Sequence, residues 1–181
     1  MKTPKPRFDV VGQLGSLRRY ARSLTRNDAD AEDLVQDTLL RAYERRGGFR
    51  HGKTLRGWLL SILHNRFIDV KRSSATEART LETAYSLNET SIDAPQEHSV
   101  RLGQVREAFF ALPEEQRSAL HLVAIEGLSY EEAAGTLNIP VGTLMSRISR
   151  ARATLRSQET EKQPDKSGHL KIVGGRDDRN D

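Results

Sequence analysis

Apolar residues recur every three or four positions through most of this chain, and nowhere do they alternate with period two for long enough to make a strand. In the N-terminal half, Leu14, Leu17 and Leu24 share one face of a segment from Val10 to Arg26. A second segment, AEDLVQDTLLRAYERR, spans Ala31 to Arg46 and follows the cap-like run RNDAD. Asn27, Asp28 and Asp30 can accept from the free amides at that helix start, where negative charge is favoured. Gly47 and Gly48 stop it, and the polar loop FRHGKT leads into LRGWLLSILHNRFIDVKR, where Leu55, Leu59, Ile62 and Arg66 recur at helical spacing. Trp58 sits near that apolar stripe and reads as core, as do Tyr43 and Phe67.

The pattern fades between Ser73 and His98, an acidic stretch with Pro95 and room for one short helix around Glu77–Ser86. Helical spacing returns at Val100–Leu112, and Pro113 occupies a favoured first-turn position for a helix over Glu114–Glu126 that Gly127 ends. Ser129 caps the next helix, which carries Glu131 and Glu132 in its first turn, an arrangement close to a capping box. After Asn138 the chain turns through IPVG, and Thr143 can cap a last helix. Beyond Ser157 the sequence is polar and aperiodic, the composition of a disordered tail. The expected architecture is therefore all-α, with two small helical domains and a linker: 8–73, 74–98, 99–157, and a tail over 158–181.

The last two helices have a distinctive shape. At about 100° per residue, Ile148, Ala151 and Leu155 fall within about 40° of Leu144, giving one apolar stripe. Leu137, Ile139 and Val141 supply the contacts that hold the two helices at an angle. This is a helix-turn-helix. Its outer face carries Ser146, Ser149 and Arg150, flanked by Met145, Arg152 and Arg156, and the arginines of this segment (Arg147, Arg150, Arg152 and Arg156) have no acid among them. Small side chains let a helix approach a major groove, and arginine binds guanine edges or phosphates. A solvated surface would mix both signs at i,i+4, which this face does not do.

Composition changes the picture only in part. The chain of 181 residues is 36% hydrophobic and 30% charged, with a net charge of +4. Basic residues crowd 1–26, 41–72 and 147–156, which suits a polyanion on some faces and another partner elsewhere. There is no cysteine, hence no disulfide and no thiol chemistry. The five histidines (His51, His64, His98, His121 and His169) lack ligand spacing, so no metal or other cofactor is expected. The N-terminus lacks the apolar run of a signal peptide, and no stretch reaches the length of a membrane span. A cytoplasmic protein with no membrane partner follows.

DAEDLVQDTLLRAYER, FRHGKTLRGWLLSILHNRFIDVKR and LPEEQRSALHLVAIEGLSYEEAAGTLNIPVGTLMSRISRARATLR, in that order, resemble an extracytoplasmic-function (ECF) sigma factor of bacterial RNA polymerase, with an EcfG-like, general-stress-response character. The resemblance covers about residues 8–157. It implies a non-enzymatic protein that directs core polymerase to promoters, with RNA polymerase core (β′ clamp helices and β subunit), promoter DNA and an anti-sigma factor, of the NepR type for this subgroup, as partners. The first block matches region 2, whose acidic helix would meet the clamp helices through Asp33, Gln36, Asp37 and Leu40. An amphipathic acidic helix is a poor DNA surface and a good surface for a basic protein.

The following loop and helix match the part of region 2 that opens the −10 element, with Phe49, Arg50, His51, Lys53, Arg56, Asn65, Lys71 and Arg72 as candidates. Melting needs a pocket for an unstacked base and cations for the displaced strand. The second block matches region 4, placing Thr143, Met145, Ser146, Arg147, Ser149, Arg150 and Arg152 at the −35 element. Many relatives carry a basic residue where this chain has Met145. The subgroup suggests a GGAA-type −35 sequence. A linker of about 25 residues spans at most roughly 80 Å, enough for elements about 20 base pairs, or roughly 70 Å, apart. The alternative reading is a stand-alone helix-turn-helix regulator, but such proteins usually add a ligand-binding or phosphoacceptor domain, and the first half here is helical and basic. An enzyme on nucleic acid would need clustered carboxylates, a metal site or a nucleophile, none of which the sequence offers.

Overall fold

The computed structural model describes residues 9–49, 54–80 and 97–161. Seven α-helices and no strand are present among them. A 3₁₀ turn, Val11–Gln13, opens into α1 (Leu14–Thr25). Arg26 leaves that helix in the left-handed region, φ 59°. Asn27 then caps α2 (Asp28–Glu44), its side chain accepting from the Ala29 and Asp30 amides at 2.8 and 3.1 Å. After a 3₁₀ turn at Arg46–Gly48, α3 runs over Leu55–Thr80, eight residues beyond the periodic stretch that predicts it.

α1, α2 and α3 pack into a bundle around Leu17, Tyr20, Leu24, Leu34, Val35, Leu59, Leu60 and Leu63, all buried. Trp58 and Phe67 pack partly buried against this core, as their spacing predicts. Tyr43 does not. It is 64% exposed and lies beneath the Arg46 guanidinium, 4.1 Å from its ring centroid. The inner face of α2 is already set by Ala31, Leu34, Val35, Thr38 and Ala42, and a residue one step past Ala42 is turned about 100° away.

The second half contains α4 (Glu97–Ala111), α5 (Glu114–Leu120), α6 (Tyr130–Leu137) and α7 (Val141–Glu161). α5 does not stay α-helical to Glu126. From His121 to Ile125 the chain widens into a π-turn, with the Glu126 amide bonded to the His121 carbonyl at 3.0 Å. That i,i+5 spacing brings the two side chains together, His121 Nε2 standing 3.3 Å from Glu126 Oε1. Gly127 leaves the turn at φ +69°, a conformation that glycine adopts without a Cβ penalty. The capping box on α6 is complete: the Glu132 amide donates to Ser129 Oγ at 3.1 Å, and the Ser129 amide donates to Glu132 Oε2 at 2.9 Å.

Thr143 is not the cap of α7. The helix starts two residues earlier, after Pro140, whose carbonyl accepts the Leu144 amide at 3.1 Å. The expected stripe is otherwise as the spacing predicts, with Leu144, Ile148 and Ala151 buried and Leu155 partly so. Asn138 makes the turn between α6 and α7 at φ 53°, and Leu137, Ile139 and Val141 close the angle.

The two halves are packed against each other. α3 meets α6, and α1 meets α5 and the π-turn, so the buried apolar residues form one continuous cluster. Polar groups are sealed into this seam. Arg117 of α5 is 2% exposed and donates from Nε to the Ser23 carbonyl at 2.6 Å and from Nη1 to the Leu112 carbonyl at 2.7 Å.

Candidate nucleic-acid interface

The outer face of α7 is open to solvent. Met145 is 52% exposed, and Ser146, Ser149, Arg150 and Arg152 are exposed beside it. Thr143 lies half-buried in the first turn. Arg147 is held differently, its Nη2 pairing with Glu115 Oε2 of α5 at 2.7 Å, which fixes α7 against α5. Along the α6 side, Met145, Ile148, Leu155 and Tyr130 floor a shallow groove edged by Ser149, Arg152 and Arg156. A short-side-chain leading edge with arginines behind it can enter a major groove and bind bases and flanking phosphates.

Of the residues expected at the −10 element, Arg50, His51 and Lys53 lie outside the described residues. Phe49 stacks at a tilt on Trp58, centroids 5.3 Å apart, so the loop's aromatic is tethered to the start of α3. Arg56 turns toward the second half, donating from Nη1 to the Glu126 carbonyl at 3.0 Å and from Nε to Gln13 Oε1 at 3.3 Å. Lys71 pairs with Glu114 of α5 at 2.8 Å. Asn65 and Arg72 are exposed on α3.

On α2, Asp33, Gln36 and Leu40 line the outer face, with Leu40 65% exposed. Asp37 shares that face, and its Oδ2 accepts from Arg66 Nε of α3 at 2.6 Å. An exposed leucine framed by carboxylates offers a partner both an apolar anchor and charge.

Sequence spacing gave no sign of the polar cluster in the seam. Glu126, fully buried at its carboxylate, accepts from Ser16 Oγ, from Arg19 Nε and Nη2 at 3.1 Å each, and from His121. Burial by itself raises its pKa, but the hydrogen bonds from His121, Arg19 and Ser16, with the Arg19 charge, outweigh it and hold the carboxyl down to about 2. Burial also lowers Arg117 to about 10, aided by the nearby Arg26 charge. Behind Glu126, His121 contacts the Tyr20 ring, centroids 5.2 Å apart, and Tyr20 Oη lies 3.0 Å from His64 Nδ1. Burial lowers His64 to about 4, leaving it neutral near pH 7. Nothing in the local sequence around Glu126 distinguishes it from a surface glutamate before a helix-ending glycine. Only the approach of α1 makes it a hub.

Among the described residues no cluster of His, Asp and Glu could hold a metal ion, and no helix is long and apolar enough to cross a membrane. Two family models match the chain: Sigma-70 region 2 over residues 12–77 and Sigma-70 region 4 over residues 102–155. The ECF RNA polymerase sigma factor EcfG of Rhodopseudomonas palustris is 39% identical over 153 residues, 84% of each chain. The ECF sigma factor SigE of Mycolicibacterium smegmatis is 39% identical over 76% of this chain and 55% of its own length. Among solved structures, the sigma factor RpoE of Bartonella quintana, crystallised with the anti-sigma factor NepR, superposes with a TM-score of 0.74 at 34% identity, covering 86% of this chain and 96% of that one. CnrH, solved with the cytosolic domain of CnrY, gives a TM-score of 0.61 at 27% identity over 85% of this chain and 86% of that chain. A stand-alone regulator is not favoured, since the first half matches region 2 rather than a sensor domain. The chain belongs to the sigma-70 family, in its ECF group: it is a sigma factor, a non-enzymatic protein that directs RNA polymerase to promoters.

Proposed function

We propose that this sigma factor reads a GGAA-type −35 element through α7 and opens the −10 element through the start of α3 and the loop before it. The exposed, acid-free face of α7 carries the reading. Ser146, Ser149 and Arg150 meet the bases with Met145, while Arg152 binds a phosphate and Arg147 braces the helix through Glu115. Met145 contributes an apolar contact, such as a thymine methyl accepts. Residues 8–73 form the core-binding and −10 domain, 99–157 form the −35 domain, and 74–98 link them.

Asp33, Gln36, Asp37 and Leu40 on α2 dock the β′ clamp helices. The exposed Leu40 beside Asp33 and Asp37 supports this, because it offers the clamp helices an apolar anchor within an acidic face. The chain acts in the cytoplasm, where polymerase is. Its inhibitor is an anti-sigma factor of the NepR type, a reading supported by the likeness to the NepR-bound Bartonella protein.

Run-off transcription tests this function. Purified core polymerase, with and without the protein, is given a template bearing a GGAA-type −35 element. A specific transcript that requires the protein is expected. Absence of a transcript together with absence of co-precipitation with core would overturn the assignment of both surfaces.

A further inference from the structure

Sulfur is scarce in this chain. It has no cysteine, and its methionines are Met1 and Met145. Among the described residues Met145 therefore carries the one sulfur atom. A core methionine would be shielded by its neighbours, but Met145 is 52% exposed in the second turn of α7. The stripe that packs that helix is Leu144, Ile148 and Ala151, all buried, so chemistry at Met145 changes the reading face rather than the core. Its side chain borders the shallow groove floored by Tyr130 and Ile148 and edged by Ser149, Arg152 and Arg156. No acid lines that groove, so the thioether stands beside hydroxyl and guanidinium donors with no carboxylate competing for them.

We infer that Met145 is a site of reversible oxidation that turns off reading of the −35 element. The inference rests on the assignment of the α7 face, and of Met145 within it, to that element. The oxidant is a hydroperoxide. The sulfur lone pair attacks one peroxide oxygen, and the S–O bond forms as the O–O bond breaks. The other oxygen leaves with the proton as water or an alcohol. Sulfur loses two electrons and the peroxide gains them. A thioether has no proton to lose, so its reactivity is set by access, and the product is a polar sulfoxide.

Two losses follow on the DNA face. An apolar contact of the kind a thymine methyl accepts is replaced by an oxygen among base edges, where thymine O4 and guanine O6 and N7 are themselves acceptors. That oxygen also accepts from Arg152 or Arg156 across the groove, and a guanidinium so engaged is withdrawn from phosphate. Methionine sulfoxide reductases return the thioether, one enzyme acting on each epimer.

Hydrogen peroxide is the probe, with the full chain and a duplex bearing a GGAA-type −35 element. Peptide mass mapping should find an added oxygen at Met145. Fluorescence anisotropy should then show binding to the duplex about tenfold weaker. The two reductases should restore it. Met145→Leu keeps an apolar side chain without the sulfur, and it is compared with itself before treatment: peroxide should not change its affinity. Oxidation of the wild type should move the melting temperature by no more than about two degrees, as for other changes at an exposed position. Saturating duplex, added before the peroxide, should slow oxidation of Met145 about tenfold or more, since few chains are then open.

A sulfoxide mapped at Met145 without loss of binding would overturn the inference. So would an equal loss in Met145→Leu, which would place the damage elsewhere, or a large fall in melting temperature, which would make lost binding a matter of unfolding. A duplex that leaves the oxidation rate unchanged would overturn the placing of Met145 on the DNA face, and the inference with it. Protection by the duplex without any effect of the sulfoxide would overturn the inference alone.

Discussion

Replacing Glu126 with glutamine removes the negative charge at the centre of the seam while keeping the side chain's size. In the folded protein the carboxyl titrates at about 2 against an ordinary value of 4.5. That difference corresponds to roughly 3 kcal/mol, at about 1.4 kcal/mol for each factor of ten. Because the folded value lies below the unfolded one, the stabilisation is fully present above pH 4.5 and is lost as pH falls toward 2. The glutamine variant has no such group. At pH 7 it should therefore be less stable by about 2–4 kcal/mol, the range for removing one partner of a buried charge pair after allowing for the half-exposed Arg19.

Urea unfolding followed by circular dichroism at a series of pH values measures this directly. The gap between wild type and Glu126→Gln should be widest near neutrality and close between about pH 4.5 and pH 2. Other carboxylates titrate in both proteins, so they cancel in the difference. A gap that stays constant with pH would refute the reasoning, since it would mean that glutamine loses packing or hydrogen bonds rather than a charge. No gap at any pH would mean that the Glu126 charge contributes nothing to stability.

Other substitutions separate the surfaces. Arg150→Ala should weaken protection of the −35 element by about 1–3 kcal/mol without changing co-precipitation with core polymerase; footprinting on wild-type and variant complexes checks it. Leu40→Asp, on a residue 65% exposed, should leave the melting temperature within a degree or two yet reduce core binding at least tenfold, read by native gel or surface plasmon resonance. Leu63→Ala, at a side chain with no exposure, should cost about 2–5 kcal/mol in urea unfolding. Gly127→Ala should cost about 1 kcal/mol through its left-handed φ of +69°, because an added Cβ there meets no neighbour and the strain is of the backbone alone.

Sequence alone decided the parts of this protein that local physics controls. Helical periodicity placed the helices, the polar run Asn27–Asp30 and Ser129 marked two starts, and Gly127 fixed a stop; that α2 begins at Asp28 rather than Ala31, with Asn27 as its cap, was settled only by the structure. The wheel separated the buried stripe of α7 from its arginine face, since both follow from rotation per residue. Tertiary structure decided what depends on a neighbour distant in the chain. Tyr43 has the apolar character of a core residue, yet the bundle had no room on the face it occupies. His121 and Glu126 became partners because the chain widened into a π-turn, which periodicity at 3.6 residues does not anticipate. Arg117, Arg56 and Lys71 look alike in sequence, as cations on helices. Only the meeting of the two halves buries the first and pairs the other two, because desolvation and ion pairing depend on which surfaces meet.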